Sequence, residues 1–253
     1  MSLLNLTKGR EKQASNSSLP FYQRFKISIF ITLLTLVGCS AVQANTLGVS
    51  PVRVELSAAT PLASITVTNS SDQAKTIQLS LFEWRQQGQE TSLTATKELI
   101  AAPPIAEIPP HQTQIVRVGL RAQPDAQTEK SYRLMIRELP PQDNVGIAIT
   151  LRISIPVFVA PEQAAEHQLQ WRLETRDNAT FLVAQNTGTA HAKINELEVE
   201  QPVLAQSAPT GNIYVLPGSY YEWQLQDSVS QYPEIVVQAR IHDDRVSTTL
   251  STQ

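Results

Sequence analysis

The sequence predicts an all-β protein built from two β-sandwich domains, and three observations support this prediction. Short segments that alternate apolar and polar residues recur from Leu47 onward, separated by turn-forming clusters such as residues 69–72. The chain contains 16 Pro and 9 Gly, which interrupt it too often for long helices. Pro161 separates two groups of such segments. We therefore expect a first domain over residues 45–160 and a smaller second domain over residues 161–253.

Composition limits the kind of partner. Apolar residues make up 42% of the chain and charged residues 17%, which is enough apolar surface for a packed core. The 20 Lys and Arg nearly balance the 23 Asp and Glu, and the formal net charge is -3. Because such a chain has no strong positive field, we expect no nucleic-acid partner.

The N-terminal segment, residues 1–44, is predicted to be a signal peptide with a long polar leading region. Two basic residues precede a short apolar run at 27–38, and residues 42–44 resemble the small-residue exit of a signal peptidase site. The mature chain would then lack cysteine and act in the periplasm. In the alternative interpretation, Cys39 belongs to a lipoprotein box and becomes the lipidated N-terminus.

One segment, residues 147–159, has an unusually long alternating pattern. Aliphatic residues occupy every second position, and they are Ile147, Ile149, Leu151, Ile153, Ile155, Val157 and Val159. Period two predicts a strand with all of them on one face. They either face the core of their own domain or complete the surface of a partner. Thirteen residues exceed the usual strand of about 5–6, so we expect one end to pack and the other to project.

No pattern of catalytic or metal-binding residues stands out. The four histidines, at positions 111, 167, 191 and 242, have no paired spacing, and we expect them to be surface or capping residues. The sequence contains no phosphate-binding loop, no nucleophile elbow and no C-x-x-C motif. We therefore expect no enzyme activity, no cofactor, no metal and no small-molecule substrate.

Several segments in order resemble the PapD-like periplasmic chaperones of the chaperone–usher pilus pathway. They are residues 48–54, 103–117, 132–141, 147–159, 183–188 and 215–218. The resemblance implies two immunoglobulin-like sandwiches in a boomerang arrangement. It also implies that strand G, here residues 147–159, fills the groove of an incomplete pilus or fimbrial subunit. The implied partners are those subunits and an outer-membrane usher.

The resemblance further implies specific site residues. The subunit-binding strand would present the side chains of Ile147, Ile149, Leu151, Ile153, Ile155 and Val157. Family members anchor the subunit's C-terminal carboxylate with an Arg on the first strand and a Lys on strand G. Arg53 matches the Arg, whereas the Lys position falls at or near Pro156. Arg152 is the candidate replacement on the same strand.

Two other functions fit the sequence less well. A fimbrial structural component or adhesin would need an N-terminal donor extension, and residues 45–56 are short and interrupted by Pro51. A secreted enzyme would need a nucleophile and a base in a recognisable arrangement, and the sequence offers none. The strand-donating chaperone is the hypothesis that uses most of the observed pattern.

Overall fold

The computed structural model describes residues 47–140, 149–200, 204, 212–226 and 229–252. In those residues β-strands dominate, and the helical content is one 3-10 turn at Val229–Gln231. No helix within the described ranges is long and apolar enough to cross a membrane. The predicted leader, residues 1–44, and Ile147 lie outside the described residues. The all-β fold class with two sandwich domains is confirmed.

The first sandwich contains ten strands. They are β1 (Leu47–Ser50), β2 (Val54–Leu56), β3 (Leu62–Asn69), β4 (Lys75–Gln87), β5 (Glu90–Ala95), β6 (Leu99–Ala102), β7 (Ile105–Ile108), β8 (Thr113–Leu120), β9 (Lys130–Leu139) and β10 (Arg152–Val159). One sheet has the order β1-β3-β8-β6, and the other has the order β2-β10-β9-β4-β5, with β7 also paired to β4. The parallel pairing of β2 with β10 differs from the antiparallel pairings of their neighbours. The first two strands therefore lie in different sheets, β1 in one and β2 in the other.

The core of the first sandwich follows from the alternation in its strands. Ile65 and Val67 of β3 face Ile77 of β4 and Leu134 and Ile136 of β9, all essentially without solvent exposure. Because successive side chains of a strand point to opposite faces, every second residue enters this core. The C-terminal half of β10 belongs to the same core, and this anchors the strand that the sequence singled out.

The second sandwich has seven strands. They are β11 (Leu169–Arg176), β12 (Ala179–Asn186), β13 (Ala192–Val199), β14 (Ile213–Val215), β15 (Tyr220–Gln224), β16 (Glu234–Ile241) and β17 (Asp244–Ser251). The sheets have the orders β11-β12-β15 and β14-β13-β16-β17. Trp223, Leu182 and Ile235 are buried between them. This core is separate from that of the first sandwich, so each sandwich has its own apolar interior.

A buried asparagine closes an equivalent turn in each sandwich. The Asn69 side-chain amide donates to the carbonyls of Gln73 and Ile108, and the Asn186 amide donates to those of Ala190 and Val215. Each side-chain oxygen in turn accepts a backbone N–H two residues later. These bonds satisfy polar groups that would be costly to bury alone.

The two sandwiches are joined by an aromatic cluster and by hydrogen bonds. Trp84 of β4, Phe158 of β10 and Leu216 of the second sandwich are buried together, with Tyr214 packed against them. The Gln86 side chain donates to the carbonyl of Tyr214 over 3.2 Å and accepts the N–H of Leu216 over 3.0 Å. These contacts fix the end of β10 against the second sandwich.

The histidines are less dispersed than the sequence predicted. His111 is exposed and contacts Asp72, as expected for a surface residue. The prediction is wrong for His191, which is buried and stacked on Phe158 with ring centroids 3.6 Å apart. His242 lies between His191 and His167, at centroid distances of 5.3 and 4.7 Å. Spacing in sequence missed this cluster because turns between strands bring the three rings together.

Candidate strand-donor edge and cleft

Strand β10 has one paired edge and one edge that is mostly open. It pairs with β9 along its whole length, from Arg152 to Val159. On the other side β2 pairs only with Val157–Val159, and no other described strand pairs there. The stretch 152–156 therefore offers backbone groups to a further strand, as unprotected sheet edges do.

The ladder determines which backbone groups face the open edge. The N–H of Glu138 donates to the carbonyl of Leu151, so odd-numbered residues of β10 direct their backbone groups toward β9. The N–H of Ala160 donates to Leu56, which places even-numbered residues on the opposite side. Arg152 and Ser154 therefore direct N–H and C=O groups outward, and Pro156 directs only a C=O. The proline interrupts no bond to β9 because its nitrogen faces away from that strand.

The predicted subunit-binding residues fall into two groups. Ile155 and Val157 are 1% and 0% exposed in the first core, so these two predicted contact residues have no side-chain surface for a partner. Leu151 and Ile153 are partly buried and pack against the edge of that core. Ile149 is 86% exposed. The accessible part of the predicted row therefore consists of Ile149, Leu151 and Ile153, while Ile147 lies outside the described residues.

The strand is shorter than the alternation predicted. It begins at Arg152, whereas the pattern predicted regular strand over residues 147–159. At Leu151 the last backbone bond to β9 is made, and Ile149 already stands away from the sheet. Alternation identified the face of each residue but did not indicate where the chain leaves its sheet.

A cleft of about 630 Å³ lies beside the open edge. Its walls come from the segment before β2, from β9 and β10, and from the second sandwich. The lining residues are Pro51, Val52, Arg53, Arg133, Ser154, Pro156, Lys193, Asn212, Tyr214, His242 and Asp243. Because Ser154 and Pro156 belong to both features, the cleft continues directly from the backbone edge.

The two predicted carboxylate ligands are separated in the structure. Arg53 lines the cleft, where its side chain is 39% exposed and its Nε lies 3.0 Å from a carboxylate oxygen of Glu55. Arg152 is exposed at the far end of β10, opposite Arg137. Three residues of strand lie between Arg152 and Pro156, which places these two positions about 13 Å apart. The structure therefore does not bring Arg152 to Arg53.

Two cations that the sequence reasoning missed occupy the cleft instead. Arg133 of β9 is the direct cross-strand neighbour of Pro156, the position where the family lysine was expected. Lys193 enters from β13 of the second sandwich. Neither forms an ion pair within the described part of the chain, whereas Arg53 does. The β9–β10 register would have revealed Arg133 from sequence, but nothing local indicated Lys193.

The surroundings of these groups modify their ionisation. The Arg133 guanidinium carbon lies 3.7 Å from the centre of the Trp84 ring, and burial lowers the pKa of Arg133. Burial raises the pKa of the Tyr214 hydroxyl, although the nearby cations Arg53 and Arg133 oppose the rise. An arginine stays charged even so. The cleft therefore holds fixed positive charge, with Asp243 as an acidic group among its lining residues.

Together these features define a two-sandwich protein with an open edge strand beside a basic cleft. Residues 46–165 match the family described as "Pili and flagellar-assembly chaperone, PapD N-terminal domain". That range covers the first sandwich and the candidate edge. The first sandwich matches this family model, which supports the resemblance to PapD-like chaperones that the sequence motifs indicated.

Solved structures share the fold over most of the chain. A chain of the CsuC–CsuE chaperone–tip subunit complex from Acinetobacter baumannii is similar at a TM-score of 0.64 and 20% identity, covering 81% of this chain and 98% of that one. A chain of the Salmonella enterica SafA pilin–SafB chaperone complex gives 0.61 and 15%, covering 83% and 99%. The E. coli chaperone DraB gives 0.58 and 15%, covering 82% and 96%. No curated protein sequence matches the chain.

Proposed function

We propose that this protein is a periplasmic chaperone that binds, folds and delivers pilus subunits by donating the edge of β10. The observation that carries the proposal is the combination of an open backbone edge at 152–156 with accessible aliphatic side chains at Ile149, Leu151 and Ile153. A subunit that lacks one strand needs both features, because it exposes unpaired edges and an apolar groove. Solved structures with the same fold include a chaperone–tip subunit complex and a pilin–chaperone complex.

The energetics assign roles to both parts of the site. Complete burial of one aliphatic side chain contributes roughly 1.5–3 kcal/mol. Burial of Ile149 in the complex would contribute nearly this full amount, because its side chain is exposed in the free chain. Leu151 and Ile153 would contribute less, because they are already partly buried. The three together contribute about 4 kcal/mol, which is at the low end of the association cost of about 4–15 kcal/mol. Strong binding therefore needs the backbone pairing of Arg152 and Ser154 and a contribution from the cleft.

The cleft suits the C-terminal carboxylate of the subunit. Arg53 is partly compensated by Glu55, so Arg133 and Lys193 supply the positive charge that lacks an internal counterion among the described residues. A carboxylate at the end of an added strand would reach this charge because the cleft continues from the edge. Arg133 and Lys193 thus take the role that the family gives to a lysine on strand G. Charge-assisted bonds of this type are among the stronger polar contacts.

Delivery would occur in the periplasm, with an outer-membrane usher as the second partner. The leader predicted at residues 1–44 accounts for export. The alternative of a fimbrial component needs a free N-terminal donor strand. Residues 47–50 instead form β1, which pairs with β3 of its own sandwich. The chaperone role instead uses the open edge of β10 at residues 152–156.

A single charge on the accessible row tests the proposal. Ile149→Asp should fold normally because the side chain is 86% exposed, and it should abolish recovery of a one-to-one complex after co-expression with a pilus subunit that the wild-type chain retains. Ile115→Asp is the matched control, since Ile115 is 56% exposed on the outer face of β8. Equal subunit recovery by both variants would contradict strand donation through this row.

A further inference from the structure

A buried ion pair lies where the donor segment leaves its sheet. Lys75 opens β4 and Glu138 lies near the end of β9, and their side chains are joined directly through Nζ and Oε1. The two residues are only 4% and 8% exposed. Burying two charges costs free energy that their attraction only partly returns, so such a pair is weak support for stability. Its position suggests a different role.

Glu138 binds both backbone groups of Leu151, the C=O and the N–H. The N–H of Glu138 donates to the carbonyl of Leu151 over 2.9 Å. The N–H of Leu151 donates to Oε2 of the Glu138 side chain over 3.1 Å. In a regular antiparallel pair that N–H would bind the opposite backbone carbonyl. A carboxylate has therefore replaced the main-chain acceptor at the last rung of the β9–β10 ladder.

We propose that Glu138, held in place by Lys75, is a positioning residue that ends the β9–β10 ladder at Leu151 and directs the preceding residues toward the subunit. The benefit to subunit binding rests on the proposed function, whereas the contacts of Glu138 with Lys75 and Leu151 do not. The Lys75 ammonium fixes one carboxylate oxygen, which leaves the other to take the Leu151 amide. Ile149, two residues earlier, is then free of the sheet and exposed.

The charge matters because a carboxylate accepts from two donors at once. Its oxygens bind the ammonium of Lys75 and the amide of Leu151 simultaneously, and charged acceptors bind more strongly than neutral ones. Without the carboxylate, the Leu151 amide would lose its acceptor and face water. This change would move Leu151 and Ile149 out of the row that meets the subunit.

Three forms of the chain separate positioning from stability. Lys75→Met with Glu138→Leu removes both charges and the acceptor at similar volume, an exchange that proteins often tolerate. Lys75→Met with Glu138→Gln also removes both charges but keeps an oxygen for the Leu151 amide. The wild-type chain is the reference. Urea unfolding of all three checks that the two double variants have comparable stability.

The first readout is amide hydrogen exchange on the free chain. Exchange of the Leu151 amide should become about tenfold faster in the Met/Leu variant, as expected for losing one bond to a charged acceptor, and should rise less in the Met/Gln variant, which keeps a neutral acceptor oxygen. The Ile153 amide, which is paired with β9, is the internal reference. Unchanged Leu151 exchange in the Met/Leu variant would overturn the inference.

The second readout is complex formation with the subunit that co-purifies with the wild-type chain. The association rate should fall about tenfold in the Met/Leu variant and should fall less in the Met/Gln variant, which keeps an acceptor for the Leu151 amide. Equal association rates in both variants would mean that the Lys75–Glu138 pair has only a structural role, and this would contradict the inference. If the wild-type chain retains no subunit, the proposed function fails, and the exchange data on the free chain alone decide the role of Glu138.

Discussion

Replacement of Lys193 by methionine tests whether the second sandwich takes part in binding the subunit. Lys193 lines the cleft and forms no ion pair with the described residues, while its carbonyl accepts the N–H of His242. Methionine keeps the length and apolar character of the stem but removes the ammonium. Because the backbone bond is unaffected, we expect the variant to fold as the wild type does.

The size of the effect follows from the surroundings of Lys193. Its side chain is half-buried, so its contribution lies between that of an exposed pair, about 0–1 kcal/mol, and that of a hydrogen bond to a buried charge, about 1.5–3 kcal/mol. We expect a loss of about 1–2 kcal/mol, which corresponds to about a 5- to 30-fold weaker complex. The loss should shrink at high salt, because a partly exposed charge is screened.

A double-mutant cycle with the ligand isolates the carboxylate. A peptide with the C-terminal residues of the co-purified subunit is compared with its C-terminal amide, on the wild-type chain and on Lys193→Met. Amidation should weaken binding to the wild type and have little further effect on the variant. Lys97→Met, at an exposed lysine outside the cleft lining, is the matched control. If amidation costs the same in both chains, Lys193 does not bind the carboxylate.

Three further predictions concern the scaffold. Phe158→Ala removes the ring buried between the sandwiches and should lower the free energy of unfolding by about 3–5 kcal/mol, measured by urea denaturation; a loss under about 1 kcal/mol would mean that the cluster is dispensable. Gly188→Ala places a Cβ 2.2 Å from the carbonyl oxygen of Glu166 and should cost at least about 1–3 kcal/mol, while Gly48→Ala, with its nearest contact at 3.8 Å, should be close to neutral; similar melting temperatures would refute this difference. Burial lowers the pKa of His242 from 6.5, so the unfolded chain binds more protons and the free energy of unfolding should decrease as the pH falls through about 6.5. His242→Asn should reduce that slope, and an identical pH profile would exclude the contribution.

Much of the fold follows from local patterns in the sequence. Period-two alternation identified the strands that form the first core, such as β3 and β4, because burial on one sheet face imposes it directly. The turn at Gly88 was also predictable, since β4 and β5 are joined by two residues and Gly88 has φ of 61°. Both signals act over a few residues.

The site was less predictable because it depends on contacts between distant segments. The alternating pattern predicted the same role for Ile155 and Ile149, yet Ile155 is enclosed by the core and Ile149 projects from the sheet, because the ladder ends between them. Lys193 is 140 positions from Arg53 along the chain, and only the packing of the two sandwiches places both in one cleft. The histidine cluster was missed for the same reason.

The central claim is that the open edge of β10 pairs with a subunit strand, and amide hydrogen exchange measures this pairing directly. The amides of Arg152 and Ser154 face the open edge, and that of Ile153 is already committed to β9. In the complex, exchange at Arg152 and Ser154 should slow strongly while exchange at Ile153 changes little. If a stable complex forms and the amides of Arg152 and Ser154 exchange as fast as in the free chain, the subunit is held elsewhere and strand donation by β10 is contradicted.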